Sequence, residues 1–326
     1  MRYLRNTSTD PHYNMAFDEF CLESLPLEEP VFYLWQNRPS VIIGLNQNAY
    51  GEVNLAYLKE HGITLARRVT GGGAVYHDLQ NLNYTIVGKS SDLERDYPRY
   101  TTYIAEALRS LGVKAEVSGR NDILIEGRKV SGYAKRVWKD RLMVHGTLMW
   151  DVDLEELTQA LSVDGSKLSS AGIASVRSKV TNLREHLPHL ASVGELKSCL
   201  EDILSRNHQD TEYTLTEAQK ASVEELAKIR FSTWDWNYGH SLEASFSRKK
   251  KFSCGTIEVL VAVNHGTISK ISFGGDYLGN RPSEELAKML EGCRYDRESI
   301  LHSLAEKPVE DYFDRLSAVE LADLVV

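Results

Sequence analysis

The chain has 326 residues, of which 42% are hydrophobic, and a formal net charge of −8 at pH 7. That is enough apolar material for one large domain and a small one, and the negative balance excludes a general nucleic-acid binder, which needs a positive field to displace counterions from phosphates. No apolar run approaches the roughly 20 residues that span a bilayer, and the start, MRYLRNTSTDPHYNMAFDEF, lacks the apolar core and cleavage site of a signal peptide, so a cytoplasmic location is expected. Cys21, Cys199, Cys254 and Cys293 are far apart and form no C-x-x-C pair, so they read as buried thiols and not as a zinc site or disulfide framework.

From Asn14 to Leu25 apolar residues recur at helical spacing, and VFYLWQ and SVIIGL then read as short buried strands separated by Arg38-Pro39. A helical VNLAYLKEHG ends on Gly62 and leads into the strand ITLARR, a run of three glycines, and the strand NLNYTIVG. A helix over Tyr97 to Leu111 precedes KAEVSG, DILIEG, RKVSGYAKRVW and RLMVHGTLMW, which predict an antiparallel meander. Helical periodicity returns at Asp153–Leu161, Val193–Leu204 and Thr216–Ile229, with the long polar stretch SSAGIASVRSKVTN between the first two. After the tryptophan-rich STWDWNYG come the basic run SRKKKF, the alternating strands TIEVLVAV and TISKISFGG, and helices over Glu284–Glu291 and Arg297–Ala305. The fold class expected is α/β with a mixed, mostly antiparallel sheet over residues 1–242, followed by a small α+β unit over 248–326. SRKKKF reads as a solvated strand edge or linker in preference to a binding patch.

Glycine runs cost backbone entropy on folding, so RRVTGGGAVYHD needs a reason: positive φ, close approach of another backbone, or a ligand against the chain. A tight strand connection is the plain alternative. Glycine-freed N–H groups can cradle an anion or carbonyl, and Arg67 or Arg68 would supply charge for a phosphate or carboxylate. The run is neither a Walker loop nor a G-x-G-x-x-G fingerprint. In SGRNDILIEGRKVSGYAKR, Asn121 and Asp122 sit at a turn where Asx residues commonly satisfy their own backbone, and Lys129 is a strand lysine of a kind that usually faces solvent. Together they are the parts of an adenylation site: an aspartate for magnesium and a lysine for charge growing on an α-phosphate or acyl oxygen. His77 and His145 read as core histidines before general bases, and SVRSKVTN as an exposed strand or loop whose charge could close over a phosphate.

Taken in order, RPSVIIGLNQN, RRVTGGGAVYHDLQNLNYTIV, SGRNDILIEGRKVSGYAKR, KDRLMVHGTLMWDVD, GIASVRSKVTNL and GGDYLG resemble lipoate–protein ligase A over nearly the whole chain. The resemblance implies a biotin/lipoate ligase-type catalytic domain with a small accessory domain. It implies activation of lipoate by ATP to lipoyl-adenylate, then transfer to a lysine of a lipoyl domain, in the E2 subunits of 2-oxoacid dehydrogenases or the glycine-cleavage H protein. Carried over, Arg68, Gly73, Ala74, Val75, Tyr76, Asn121, Lys129, Ser178 and Lys179 would bind ATP, and Gly71, Gly72, His77, Lys129, Ser131, Gly132, Arg136 and His145 would bind lipoate. Lys129 would be catalytic, Asp122 would take Mg2+, Gly172 to Asn182 would form the adenylate-binding loop, and WDWNYGHS would be the interdomain hinge. The apolar stretches VIIG and AVY would wall the acyl tunnel.

Two residues depart from the pattern: Tyr133 stands where a small Ser or Asn is usual, and Gln80 where a Gly is usual. Tyr133 either narrows the tunnel or points outward, which raises the hypothesis of a preference for octanoate or a shorter chain. Octanoyltransferases of the same fold use a cysteine thioester, and in one class that cysteine precedes the Gly-Ile aligned with Gly172-Ile173; here the position is Ala171. A biotin ligase would carry a different glycine motif and a Lys-Trp-Pro-Asn-Asp run where SGRND stands here. A protein that binds lipoyl domains, or relays acyl groups, without ATP activation is the rival of another class.

Overall fold

The structure, a computed structural model, describes residues 1–47, 49–119, 121–161, 179–205, 212–238, 246–264, 266–305 and 307–326. In chain order the strands are β1 (Arg2–Leu4), β2 (Val31–Trp35), β3 (Ser40–Ile43), β4 (Thr64–Arg67), β5 (Val75–His77), β6 (Asn81–Lys89), β7 (Ala115–Ser118), β8 (Asp122–Ile125), β9 (Arg128–Trp138), β10 (Arg141–Met149), β11 (Glu212–Tyr213), β12 (Phe246–Phe252), β13 (Gly255–Asn264) and β14 (Thr267–Gly275). They form an eight-stranded mixed sheet, β11-β1-β2-β6-β10-β9-β8-β7, and two three-stranded sheets, β4-β3-β5 and β12-β13-β14. The expected meander is β7 to β10, antiparallel throughout. One expectation is corrected: the glycines do not lead straight to NLNYTIVG, because β5 intervenes and pairs antiparallel with β3.

Helix α1 (Pro11–Glu23) starts where Asp10 accepts from the N–H groups of His12 and Tyr13 and Pro11 supplies a pre-set φ. It lies between the large sheet and the β4-β3-β5 sheet, with Met15, Phe17, Cys21 and Leu22 packed against Val31, Tyr33 and Val87 on one side and Ile42 and Ala66 on the other. Because strand side chains alternate, Leu82, Tyr84 and Ile86 of β6 face the opposite core, under Ile104 and Leu108 of the helix Leu93–Ser110 and Leu196 of the helix Val193–Ser205. Asn83, Thr85 and Val87 are left on the α1 side, where the cavity described below opens.

The third sheet carries its own core, built from residues between Cys254 and Val325 and covered by the helices Ser283–Leu290, Arg297–Leu304 and Ala318–Val325. Its edge strand β12 holds Arg248 to Lys251 exposed, which is the solvated strand edge expected from SRKKKF. This part touches the rest of the chain through backbone: Gly275 N donates to Asn46 O at 2.8 Å and Gly72 N to Tyr277 O at 3.3 Å.

Arg67, at the end of β4, is fully buried. Its Nη1 donates to the carbonyls of Gly44, Leu45 and Gln47, its Nε to Trp236 O and its Nη2 to Asn237 O. The Trp236 indole returns a bond to Arg67 O at 3.0 Å, and the Asn237 side chain accepts from Arg67 N at 2.9 Å. Trp234–Tyr238 is therefore a short helix fastened to β4, so the first part of the expected hinge WDWNYGHS belongs to the large unit; the remainder lies outside the described residues. Desolvation pushes the Arg67 pKa down to about 10, so the group stays charged at neutral pH.

Arg67→Lys cannot reach five carbonyls from one ammonium, so it should cost on the order of 3 kcal/mol, because a buried charge is left underpaired. The readout is the melting temperature, and an unchanged value would show that this cage does not hold the loop and the helix together.

Candidate active site

Between the large sheet, the β4-β3-β5 sheet and α1 lies a cavity of about 140 Å³. Alternation selects its walls: Trp35 of β2, Asn83 of β6, His145 and Thr147 of β10 and Gly132 and Ala134 of β9 come from the large sheet, with Ile42 and Val75 opposite and Met15 from α1. Ile42, Ala74 and Val75 are walls anticipated from VIIG and AVY.

The glycine run has three separate reasons. Gly71 lets another backbone approach: a Cβ there would lie 2.5 Å from Tyr277 O. Gly72 has φ +94°, and a Cβ would also press on Arg68 Nη2 at 2.9 Å. Gly73 lines the cavity. Arg68, almost fully buried, holds the turn from inside: Nη2 donates to Gly71 O at 2.7 Å and Gly73 O at 2.9 Å, Nη1 to Ile42 O at 3.1 Å, and Nε to Thr70 Oγ1 at 3.0 Å. Burial and the neighbouring Arg67 push its pKa down to about 10. Two guanidiniums whose hydrogen bonds all go to carbonyls and a hydroxyl, among the described residues, leave a standing positive potential beneath the loop, suited to an anionic ligand.

Lys129 reaches the cavity by an irregularity of β9. Ile123 pairs with Ser131 and Leu124 with Lys129, so Val130 has no partner on β8, and this one-residue bulge reverses the alternation. The Lys129 side chain lies across Gly132, where a Cβ would meet its Nζ at 2.8 Å. Its ammonium sits 2.7 Å from Asp122 Oδ1, both side chains about one third exposed at the cavity mouth beside Asn121. The backbone of Lys129 is fixed on the other side by Lys179 O, which accepts from its N–H at 2.8 Å, and by Thr181 N, which donates to its carbonyl at 3.0 Å.

A buried chain runs beneath the cavity. The Asp18 carboxylate accepts from Tyr33 Oη at 2.6 Å, Thr85 Oγ1 at 3.0 Å and His145 Nδ1 at 2.7 Å. His145 Nε2 is 2.7 Å from Thr70 Oγ1, which also receives Arg68 Nε, and Thr85 Oγ1 accepts the Trp35 indole N–H at 3.0 Å. Asp18 and Thr70 were missed from sequence; the available signal was an acidic residue inside the apolar run MAFDEF. On the other wall His77 Nδ1 faces Asn37 Nδ2 at 3.1 Å.

Of the expected site residues, Arg68, Gly72, Gly73, Ala74, Val75, His77, Asn121, Lys129, Gly132 and His145 line the cavity. Others do not. Ser131 is fully buried on the opposite face of β9, and Tyr76, out of phase with Val75 and His77, packs in the core formed with Val41 and Leu58. Arg136 lies beyond the cavity, donating to Val69 O at 2.9 Å and pairing with Glu23 at 3.5 Å. Gly71 turns its back on the cavity toward Tyr277, and the Lys179 side chain is exposed. Ser178, Ala171 and most of the expected adenylate-binding loop lie outside the described residues. Tyr133 does not point outward: its ring meets Tyr97 edge-on at 6.1 Å in the core while it flanks the cavity. None of the four cysteines lines the cavity.

The profile of the lipoyl protein ligase A/B catalytic domain matches residues 10–205, and that of the bacterial lipoate protein ligase C-terminus matches residues 241–325. Lipoate–protein ligase 1 of Staphylococcus aureus is 38% identical over 327 residues, covering 100% of both chains, and lipoate-protein ligase LplJ of Bacillus subtilis is 38% identical over 320 residues, covering 97% of both. Among solved structures, Plasmodium falciparum LipL1 in complex with lipoate superposes with a TM-score of 0.78 at 26% identity over 94% of both chains. The bipartite lipoate protein ligase of Thermoplasma acidophilum, described with its E2 lipoyl domain, gives 0.68 at 32% identity over 75% of this chain and 98% of its own. A lipoate-protein ligase A bound with ATP gives 0.64 at 31% identity over 73% and 98%. Full-length identity to named ligases, with a fold that superposes on solved lipoate ligases, shows that this chain is an enzyme belonging to the lipoate–protein ligase family.

Proposed function

We propose that the chain activates lipoate with ATP, forming lipoyl-adenylate and pyrophosphate, and then transfers the lipoyl group to the acceptor lysine of a lipoyl domain. The observation that carries this reading is the Lys129 ammonium, turned by a bulge into the mouth of an apolar cavity opposite the glycine loop. Relatives solved with lipoate and with ATP support it. In the first step a carboxylate oxygen bonds to the α-phosphorus as the bond to pyrophosphate breaks. In the second the neutral lysine amine bonds to the acyl carbon, AMP leaves with the anhydride oxygen, and the amine proton is released.

Lys129 holds a fixed positive charge where negative charge grows on the phosphoryl and acyl oxygens, an electrostatic contribution with no covalent bond. Asp122 keeps that ammonium at the mouth. Gly72 and Gly73 bring backbone against the nucleotide with the Arg67 and Arg68 charges beneath, Asn121 supplies an amide beside Lys129, and Ile42, Met15, Val75 and Ala134 exclude water from the acyl chain, whose burial contributes about 0.8 kcal/mol per CH₂. Among the described residues no group of three or more His, Cys, Asp or Glu side chains gathers as a metal site. A single carboxylate, Asp122, with substrate phosphates supplying other oxygens fits Mg2+, and the ion would neutralise phosphate charge there. The acceptors fitting this reading are E2 lipoyl domains and the glycine-cleavage H protein, the first supported by the Thermoplasma acidophilum ligase described with its E2 lipoyl domain. We take residues 1–242 as the catalytic unit and 248–326 as the accessory one, with activity in the cytoplasm; no helix among the described residues is long and apolar enough to cross a membrane.

Pyrophosphate release with ATP, magnesium and lipoate tests the reading, and no release from the intact chain would leave only a lipoyl-domain-binding role. Lys129→Ala should lower kcat/KM for that release on the order of 10²–10³-fold at an unchanged melting temperature; retained turnover would remove Lys129 from the chemistry. Gly72→Ala forces a side chain into positive φ against Arg68, so adenylation should fall about tenfold or more; wild-type rates would show that the turn is not part of the site.

A further inference from the structure

Two N–H groups in the cavity find no partner among the described residues: Asn83 Nδ2 and His77 Nε2. Their residues are 1% and 3% exposed. Asn81 Nδ2 donates to Asn83 Oδ1 at 2.8 Å, which leaves Asn83 Nδ2, at the cavity wall, and Asn81 Oδ1 without partners. Asn37 Nδ2 donates to His77 Nδ1 at 3.1 Å, so the ring proton sits on Nε2. Burial, with the Arg68 charge adding to it, pushes the His77 pKa down to about 3 and keeps the ring neutral. An unpaired buried donor costs stability unless a ligand supplies an acceptor.

Their place in the cavity says which part of a ligand they meet. The Lys129 ammonium lies over Gly132 of β9. Gly132 N donates to Thr147 Oγ1 of β10 at 3.2 Å, and Thr147 is the register partner of Asn83 on β6. From the reacting carboxyl to Asn83 is therefore two interstrand steps, about 10 Å, the reach of an extended eight-carbon chain. His77 closes the same end, its ring meeting Trp35 edge-on at 6.1 Å, and Met15 is the flexible wall beside them. An alkyl tail here would bury two N–H groups against carbon. Dithiolane sulfurs accept weak hydrogen bonds and pack favourably on aromatic and thioether surfaces.

We propose that Asn83 and His77 are a specificity-determining donor pair that selects an acyl chain carrying acceptor sulfurs at its tail over a plain alkyl chain of the same length. This rests on the ligase reading and deepens it. It also bears on Tyr133, since the tail meets β6 and β5 at that depth and Tyr133 belongs to β9.

The experiment is competition between lipoate and octanoate, read as the ratio of kcat/KM for pyrophosphate release, with calorimetric binding of each acid in parallel. The wild-type chain should favour lipoate, and Asn83→Leu, close in volume but without the donor, should shrink the ratio about tenfold. His77→Phe should shrink it as well, while His77→Gln, whose amide nitrogen reaches the place of Nε2, should retain most of it. If Asn83→Leu fails to melt cooperatively, the two His77 variants decide. Equal losses for both acids, an unchanged ratio, or a wild-type preference for octanoate would overturn the donor pair while leaving the ligase reading intact. A wild-type chain that binds neither acid would overturn both.

Discussion

Two adjacent guanidiniums placed in a protein interior with carbonyl oxygens for company are the constraint on which the rest of this structure depends. Arg67 draws together the Gly44–Gln47 segment, β4 and the helix Trp234–Tyr238, and Arg68 closes the Thr70–Gly73 turn around itself. Each replaces lost hydration with carbonyl dipoles, which satisfies donors without cancelling charge. The loop above is thus shaped by the same groups that make it electropositive, and a carboxylate or phosphate arriving there completes an arrangement that the protein leaves unneutralised. That is electrostatic preorganisation in its plainest form: the field exists before the ligand does.

Around this base the cavity is graded along its length. At the mouth are the full charges, Lys129 and Asp122, each about one third exposed. In the middle the wall is apolar and neutral, Ile42, Val75 and Ala134. At the inner end, neutral N–H donors from His77 and Asn83 stand beside Trp35. The Asp18 network ties these parts together, since one carboxylate fixes His145 directly and Trp35 through Thr85, and His145 reaches Thr70 at the start of the glycine turn. Changes at the inner wall are therefore mechanically connected to the loop at the mouth through hydrogen bonds of ordinary length.

The glycine run also serves a neighbour. Its first glycine accepts the close approach of Tyr277 O, and Gly72 N donates to that same carbonyl. GGDYLG, far away in sequence, is in this way a structural part of the glycine turn. The small unit packs its own core, so what couples it to the glycine turn is a few backbone contacts rather than a shared apolar interior.

Much of this was legible in the residues. Strand and helix order followed from periodicity, the glycine run announced special backbone, and six ordered motifs pointed to the family. The candidate residues were legible as types, but the direction of each was not. Ser131 and Tyr76 fall on the wrong side of their strands by simple alternation, and Arg136 lies on the right side but one step too far. Lys129 would also have faced away, except that the unpaired Val130 shifts the phase of β9 by one residue. A bulge leaves no local mark in composition, because it is a property of how two strands pair. Asp18, Thr70 and Asn83 are ordinary polar residues in sequence and become informative only when three elements enclose them. The sequence by itself determined the family, the order of elements and the need for glycine before Ala74, since those depend on local propensity and motif. Only the tertiary structure decided which side chains meet in the cavity and which donors inside it lack a partner, because burial and register belong to strands and helices brought together from distant parts of the chain.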